Sequence, residues 1–249
     1  PVPVTGDVWC HSRSRSVAIS QDGNYVIAGG YDQKVYLFDN EGTKLWERFI
    51  GSSVVAVTIS SNGDWLACGS SNGSIYFFHR SNSNPQWWYN TGEYIQNIVI
   101  SGDGQYIAVG NRDSKVFLFD SNGILIWSYT LPYGSIVNVN ISTDGKSIVV
   151  GTDDPSETEG CIIAYFSDTR DGYLGWSNSD GIPVWSYHPV GGRRDFYDVD
   201  ISPDGNFICG GGSGIPVYLF HKDGTLVQSF PTNARSVNIS NEGEYIAVG

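Results

Sequence analysis

One short turn phrase occurs six times along the chain, and this repeat constrains the fold more than any other feature. The residue before each glycine of the phrase recurs at spacings of 40, 41, 41, 60 and 38. A period near forty with strand-forming residues around every copy predicts stacked β units rather than one irregular domain. The six copies are Ser20–Tyr25, Ser60–Trp65, Ser101–Tyr106, Ser142–Ser147, Ser202–Phe207 and Ser240–Tyr245.

The first unit shows how one repeat is built. A short apolar run at 16–20 leads into Gln21-Asp22-Gly23-Asn24, where an Asx residue and a glycine favour a hairpin turn. The chain then returns along 25–29, and Lys34–Phe38 is predicted as a third strand. A further turn precedes Thr43–Trp46, the start of a fourth strand. Each unit is therefore predicted to be a sheet of four antiparallel strands.

The third and fourth strands recur along the chain, and helical periodicity is absent. Continuous apolar and aromatic runs in the second and third strands indicate burial on both faces, as in small sheets packed face to face. Four antiparallel strands per forty residues predict an all-β fold, the β-propeller. The repeats are Ser74–Phe78, Lys115–Phe119, Ile162–Phe166 and Pro216–Phe220 for the third strand, and Trp87, Trp127, Trp185 and Gln228 for the fourth.

These motifs resemble two propeller families. The Ser-x-Asp-Gly turn and the blade length are similar to WD repeats, although the Gly-His and Trp-Asp dipeptides of that family are absent. The run from Val35 to Trp46 resembles the Trp-docked blades of pyrroloquinoline-quinone-type propellers. The combination is similar to propeller modules of archaeal and bacterial surface proteins. This resemblance implies a propeller across nearly the whole chain.

The repeat predicts a single propeller domain over residues 1–249. Five units are complete, and the sixth stops at Gly249 after its second strand, which predicts that the chain is truncated. A six-bladed ring is the simplest interpretation, with Val2–Thr5 as a fourth strand that closes the last blade, and a seven-bladed parent is the alternative. The predicted units lie near 13–50, 51–91, 92–132, 133–190, 191–232 and 233–249.

Composition narrows the class of partner. A formal charge of −12 argues against a nucleic-acid partner, because phosphate binding requires clusters of Lys and Arg. No apolar stretch approaches the roughly 20 residues of a membrane span, so direct membrane insertion is not expected. The weakly charged, polar composition is typical of extracellular or cell-surface proteins, and a cytoplasmic location is the alternative.

The four cysteines have no metal-like spacing. Cys68 and Cys209 lie inside strand patterns and are expected to be buried, inert thiols. Cys10 and Cys161 are candidates for a disulfide, which the sequence alone does not decide.

The fourth unit departs from the period, and function is expected where one copy differs from the others. Its extra residues fall in three loops, at 151–160, 167–181 and 186–197. The first loop contains four acidic residues that are candidate oxygen ligands for Ca²⁺, the one cofactor considered, and solvated loop charges are the alternative. These residues are Asp153, Asp154, Glu157 and Glu159.

Rim loops supply the predicted binding residues. Tyr and Arg are enriched at protein interfaces, so these loops favour a noncatalytic module that binds a protein or a cell-surface component. A quinoprotein-like enzyme, a glycan-processing enzyme and a lectin-like propeller are the alternatives. The candidate binding residues in the rim loops are Tyr31, Asp32, Arg112, Asp113, Tyr133, Arg193 and Arg194.

Polar residues also occur on the inner strand of the fifth unit. Asp198 and Asp200 on this strand are predicted to line a wet central channel.

Overall fold

The structure, a computed structural model, describes residues 14–132, 134–153, 161–168, 181–189, 195–240 and 242–249. These residues form 22 strands, and no helix occurs among them. In particular, the described ranges contain no helix long and apolar enough to cross a membrane. Val2–Thr5 and Cys10, to which the sequence assigned a closing strand and a candidate disulfide, lie outside the described residues.

Five four-stranded antiparallel sheets follow one another along the chain, and a two-stranded hairpin comes last. Each sheet runs in chain order from an inner to an outer strand, which confirms the predicted propeller. Blade one comprises β1 Ser14–Ile19, β2 Tyr25–Gly30, β3 Lys34–Asp39 and β4 Lys44–Phe49; blade two, β5 Val54–Ile59, β6 Trp65–Ser70, β7 Ser74–His79 and β8 Trp87–Asn90; blade three, β9 Ile95–Ile100, β10 Tyr106–Asn111, β11 Lys115–Asp120 and β12 Leu125–Thr130; blade four, β13 Ile136–Ile141, β14 Ser147–Thr152, β15 Ile163–Ser167 and β16 Trp185–Tyr187; blade five, β17 Asp195–Ile201, β18 Phe207–Ser213, β19 Val217–His221 and β20 Leu226–Phe230; the sixth unit, β21 Val237–Ile239 and β22 Ile246–Val248.

The repeated Ser-x-Asp-Gly phrase joins the first two strands of each blade as a side-chain-stabilised turn. In blade three, Ser101 Oγ donates to Asp103 Oδ1 at 2.6 Å and accepts from Tyr106 N at 3.0 Å. Gly104 has a φ of +76°, in the left-handed region that favours glycine. The same serine and acidic pair recurs in the other complete blades, with Asn62 in place of the acid in blade two. The phrase therefore specifies a hairpin rather than a ligand site.

In the described residues the core contains five apolar layers that are each shared by two neighbouring units, and a smaller cluster lies within blade one. The layer between blades two and three contains Ile75 and Phe77 from one blade with Ile95 and Ile98 from the next, all at most 2% exposed. Corresponding layers join the other neighbours through the sixth unit. Blades two to five are thus each stabilised by both neighbours, as in other repeat proteins.

Outer-strand tryptophans add a second link between neighbouring blades. The indole Nε1 of Trp46, Trp87 and Trp185 donates to a main-chain carbonyl in the following blade, at 2.7, 3.0 and 2.8 Å. In blade three the strand register pairs Trp127 with Leu118, and in blade five it pairs Gln228 with Leu219. Gln228 therefore occupies the position of the outer-strand tryptophan. The tryptophan spacing noted in the sequence therefore corresponds to a repeated interblade contact.

The two ends of this row of units expose residues whose counterparts are buried. Val17 on β1 is 67% exposed, whereas the residues at the same position in the next five units are at most 6% exposed. Tyr245 of the sixth unit is 73% exposed, whereas its counterpart Tyr25 packs against Gly63 of the next blade. Within the described residues, the apolar contact that joins neighbouring blades is thus not formed between the sixth unit and blade one.

Candidate functional site

The up-and-down connectivity gives the propeller two faces. The face on which the inner strands begin carries the turns between second and third strands and the connections between blades. We call it the mouth face, because it surrounds one opening of the central channel. The Ser-x-Asp-Gly turns lie on the opposite face.

Every complete blade has a β-bulge at the start of its inner strand. In blade one, Ser14 pairs with Gly30 and Ser16 with Gly29, so Arg15 is the extra residue. A bulge redirects one side chain without disturbing the remainder of the ladder. In the sixth unit the main-chain N–H groups of Arg235 and Ser236 both donate to Gly249 O, at 2.7 and 3.2 Å. The residues at this bulge position are Arg15, Val55, Gln96, Val137, Tyr197 and Arg235.

Arginine and tyrosine side chains alternate across the mouth face from blade one to blade three. Arg15 Nη1 donates to the Tyr31 hydroxyl at 2.8 Å. The guanidinium carbon of Arg15 lies 5.6 Å from the ring centroids of both Tyr31 and Tyr94. That of Arg112 lies 4.4 Å from the Tyr94 centroid. These four residues, which we call the Arg–Tyr cluster, form a chain of cation–π contacts that crosses above blade two.

The main chain fixes the positions of Arg112 and Tyr94. Arg112 N donates to Tyr94 O at 3.0 Å. Ser114, in the same turn, has a φ of +58°, which is unusual for a residue with a Cβ. Its carbonyl accepts from Leu131 N at 2.8 Å, so the turn is bonded to the connection that leads into blade four. The strained conformation is thus maintained by hydrogen bonds, and it holds the turn of Arg112 rigidly.

Some basic residues in the described part of the protein form ion pairs, and the arginines of this cluster do not. Glu47 accepts from Lys34 and from Lys44, at 2.6 Å in each case, and these two ammonium groups lower its pKa to about 2. Arg80 Nε lies 3.2 Å from Asp64 Oδ1. Within the described residues, Arg15 and Arg112 have no carboxylate oxygen at ion-pair distance. Within the part of the chain that is described, the two guanidinium groups therefore form no ion pair, although the protein as a whole is acidic.

Below the mouth, polar side chains connect the inner strands of successive blades. The amide of Asn97 donates to Asn138, and the amide of Asn138 donates to Asp198. The second oxygen of Asp198 accepts from Val237 N at 2.9 Å. An inner strand has one edge that pairs with no neighbouring strand, so its main-chain N–H groups on that edge need other acceptors. The carboxylate of Asp198 provides such an acceptor for Val237 N.

A second set of polar side chains, two residues farther along the same inner strands, makes similar contacts. Asn140 Nδ2 donates to Asp200 Oδ1 at 2.5 Å, and Ile239 N donates to Asp200 Oδ2 at 2.8 Å. Burial raises the pKa of Asp200 to about 6, and the nearby charge of Asp198 adds to this effect. Burial also raises the pKa of Asp198, opposed by the hydrogen bond from Val237 N. These aspartates join blade five to the sixth unit through hydrogen bonds from main-chain N–H groups. Both residues, which the sequence analysis placed along the channel, therefore have a structural role.

The pKa of Asp200 predicts that the domain becomes more stable as the pH falls from 7 to 5. A folded-state pKa above the unfolded value of 3.8 contributes stability that is complete below 3.8 and is lost as the pH rises through about 6. After allowance for partial solvent access, we expect a gain of about 1 kcal/mol between pH 7 and pH 5. Urea unfolding at both pH values measures it.

The variant Asp200→Asn isolates this effect from the titration of histidines. It should be less stable overall, because it loses an acceptor for a main-chain N–H, but its stability should change less between pH 7 and pH 5. Asp204→Asn is the matched control, since hydrogen bonds from Ser202 and Asn206 lower the pKa of Asp204 despite its burial cost. A pH dependence of Asp200→Asn equal to that of the wild type would contradict the assignment.

The structure places four of the seven predicted binding residues on the mouth face. Tyr31 is 51% exposed and belongs to the Arg–Tyr cluster, as does Arg112. Asp32 Oδ2 accepts from the Tyr36 hydroxyl at 2.6 Å, which indicates a role in its own turn. Asp113 is exposed beside Arg112. Tyr133, Arg193 and Arg194 lie outside the described residues.

The candidate calcium loop is described at only one position. Asp153 Oδ1 accepts from Ser135 N at 2.7 Å, and Asp153 N donates to Ser135 O at 3.1 Å, so this residue ties its loop to the preceding connection. Asp154, Glu157 and Glu159 lie outside the described residues. In the parts of the chain that are described, no group of three or more His, Cys, Asp or Glu side chains is arranged to hold a metal.

Sequence reasoning missed Arg15, the residue that connects the cluster. Arg15 directly precedes the first predicted strand, which begins at residue 16. A signal was nevertheless present, because the residue five positions before the serine of each turn phrase is the bulge residue in every unit. Alignment of the six units on that serine would have selected this position.

Comparison with known proteins supports the fold. The sequence profile of a family of unknown function, DUF5711, matches residues 12–172. No curated protein sequence matches the chain. Among solved structures, hydrazine synthase from Kuenenia stuttgartiensis is similar over 95% of this chain and 73% of its own, with a TM-score of 0.73 and 15% sequence identity. A similarity at that identity concerns the fold alone.

Proposed function

Because this chain belongs to the DUF5711 family, whose function is unknown, we propose a role from its own surface. The protein is a noncatalytic interaction module, a propeller of a secreted or cell-surface protein that binds a protein partner through its mouth face. The observation that carries this proposal is the Arg–Tyr cluster, which spans blades one and three.

The composition of the cluster favours binding to a protein. Tyr and Arg are enriched among residues whose truncation weakens protein interfaces, and they concentrate near interface centres. Tyr31 exposes about half of its side chain although it is large and partly apolar. The cluster lies on rigid strands and bonded turns, so little conformational entropy is lost when a partner contacts it.

The proposed location is supported by composition. Charged residues make up only 16% of the chain, and polar uncharged residues with aromatics form much of the remainder. Cys68 and Cys209 are buried, and burial raises the pKa of both thiols, so neither is exposed to oxidation. A membrane-impermeant biotinylation reagent applied to intact producing cells tests the location. Labelling only after lysis would indicate the cytoplasmic alternative.

A photo-crosslinking amino acid at position 31 tests the interaction itself in producing cells. We expect a discrete crosslinked product from this mouth-face position and at least a tenfold lower yield from position 226, on the exposed outer strand of blade five. The double variant Arg15→Gln/Arg112→Gln should reduce the product at position 31 by a similar factor. Equal yields from both positions, or sustained turnover of an alcohol or a glycoside by the purified domain, would contradict a noncatalytic binding role.

A further inference from the structure

We infer that the partner presents carboxylates to the Arg–Tyr cluster, as an acidic and extended peptide segment that lies across the channel mouth. This inference rests on the proposed function and specifies the chemistry of its ligand. Arg15 and Arg112 are the residues that select the carboxylates. Tyr31 and Tyr94 orient the two guanidinium groups.

Unused hydrogen-bonding capacity is the first argument. A guanidinium has five N–H donors in a planar fork that matches a carboxylate. Among the described residues, Arg15 uses Nη1 for the Tyr31 hydroxyl, and the side chain of Arg112 makes a cation–π contact with Tyr94 and no hydrogen bond. Both side chains are exposed. In the described structure each arginine therefore retains donors for a bidentate carboxylate.

The sharing of one ring by two cations is the second argument. The guanidinium carbons of Arg15 and Arg112 are 5.6 and 4.4 Å from the same Tyr94 centroid. Like charges held this close repel each other, and an anion placed beside both relieves that repulsion. The ring faces hold both cations in place before a ligand arrives. The cluster is thus organised for an anion in the absence of one.

The distribution of charge restricts the size of the ligand. The whole chain carries a formal charge of −12, and Asp32, Glu93 and Asp113 lie near the cluster on the mouth face. A long polyanion such as a nucleic acid or a sulfated glycan would extend beyond the arginines onto acidic surface and be repelled. A peptide with a few carboxylates can contact the two arginines without extending onto that acidic surface. This favours an acidic segment of a protein over a polymer of uniform charge.

A random twelve-residue peptide library displayed on phage tests the inference. The bait is the wild-type domain, with counter-selection on Arg15→Gln/Arg112→Gln. We expect the enriched peptides to contain a clear surplus of Asp and Glu. A synthetic peptide from the selection should bind at least tenfold more weakly to the double variant, and also to wild type when its acids are changed to amides. Its affinity should fall as salt is raised.

The matched control is Lys146→Gln/Lys222→Gln, which removes the same two charges from exposed positions on the opposite face. This variant should bind the peptide within twofold of wild type, and thermal melting of both double variants verifies folding. Enriched peptides that depend on Arg15 and Arg112 but lack an acidic surplus would overturn the inference and leave the proposed function intact. Absence of any arginine-dependent peptide would overturn both. Equal competition by heparin or oligothymidylate would overturn the peptide assignment in favour of a polyanion.

Discussion

Replacement of Trp87 by alanine is expected to lower the free energy of unfolding by about 3 kcal/mol, because it removes contacts on both sides of a blade interface. The indole stacks on Phe77 of its own blade at 5.2 Å and contacts Phe119 of blade three at 5.7 Å. Its Nε1 donates to Ser121 O at 3.0 Å. Urea unfolding followed by circular dichroism measures the loss.

The adjacent residue supplies a matched control for this prediction. Trp88 is on the other side of the same strand and is 63% exposed. Trp88→Ala should therefore change the free energy of unfolding by less than about 0.5 kcal/mol, as expected for a surface position. Equal losses from the two variants would show that the interblade contact of Trp87 contributes little to stability.

The phrase repeated from Ser20 to Tyr245 predicted the fold because its information is local. A serine, an acid or asparagine and a glycine at fixed offsets stabilise one hairpin. In the five complete blades the residue two positions after the glycine, aromatic except at Ser147, begins the second strand. Strand order within a blade follows directly from such hairpins. The tryptophan spacing likewise predicted the outer strands, where Trp46, Trp87 and Trp185 are observed.

The candidate site was predicted only in part, because its contacts join residues far apart in sequence. Tyr31 and Arg112 were selected as rim residues, but their relation depends on Arg15, which contacts residues 16 and 79 positions away. No local pattern indicates which rim side chains converge above the channel. That convergence depends on the bulge in β1 and on the angle between blades one and three.

The channel aspartates illustrate a different limit. The polar pattern of Asp198 and Asp200 predicted side chains that line a channel, and the structure shows both carboxylates in hydrogen bonds with the sixth unit. It did not predict that each carboxylate accepts a main-chain N–H from the sixth unit, since that contact requires the position of β21. Periodicity thus identifies polar positions on the inner strands, whereas the packing of neighbouring units decides which groups they bind.

A methyl group added at Gly69 is expected to destabilise the domain by about 3 kcal/mol, because it overfills an apolar layer. Gly69 lies on β6, where a Cβ would be 2.4 Å from Ile95 Cγ2 and 2.9 Å from Ile95 Cβ. Ile95 is fully buried in the layer between blades two and three. The two blades must separate slightly to admit the methyl group of Gly69→Ala, and urea unfolding should detect the cost.

A double-mutant cycle with Ile95→Ala tests whether this one contact is the cause. Ile95→Ala alone should cost about 3 kcal/mol through the cavity it leaves. In the double variant the new methyl group occupies part of that cavity, so the combined loss should remain near 3 kcal/mol instead of doubling. Additive losses would mean that Gly69→Ala acts elsewhere, for example on the pairing of β6 with its neighbours. Recovery in the double variant would instead establish that glycine is required at position 69 by the close approach of the next blade.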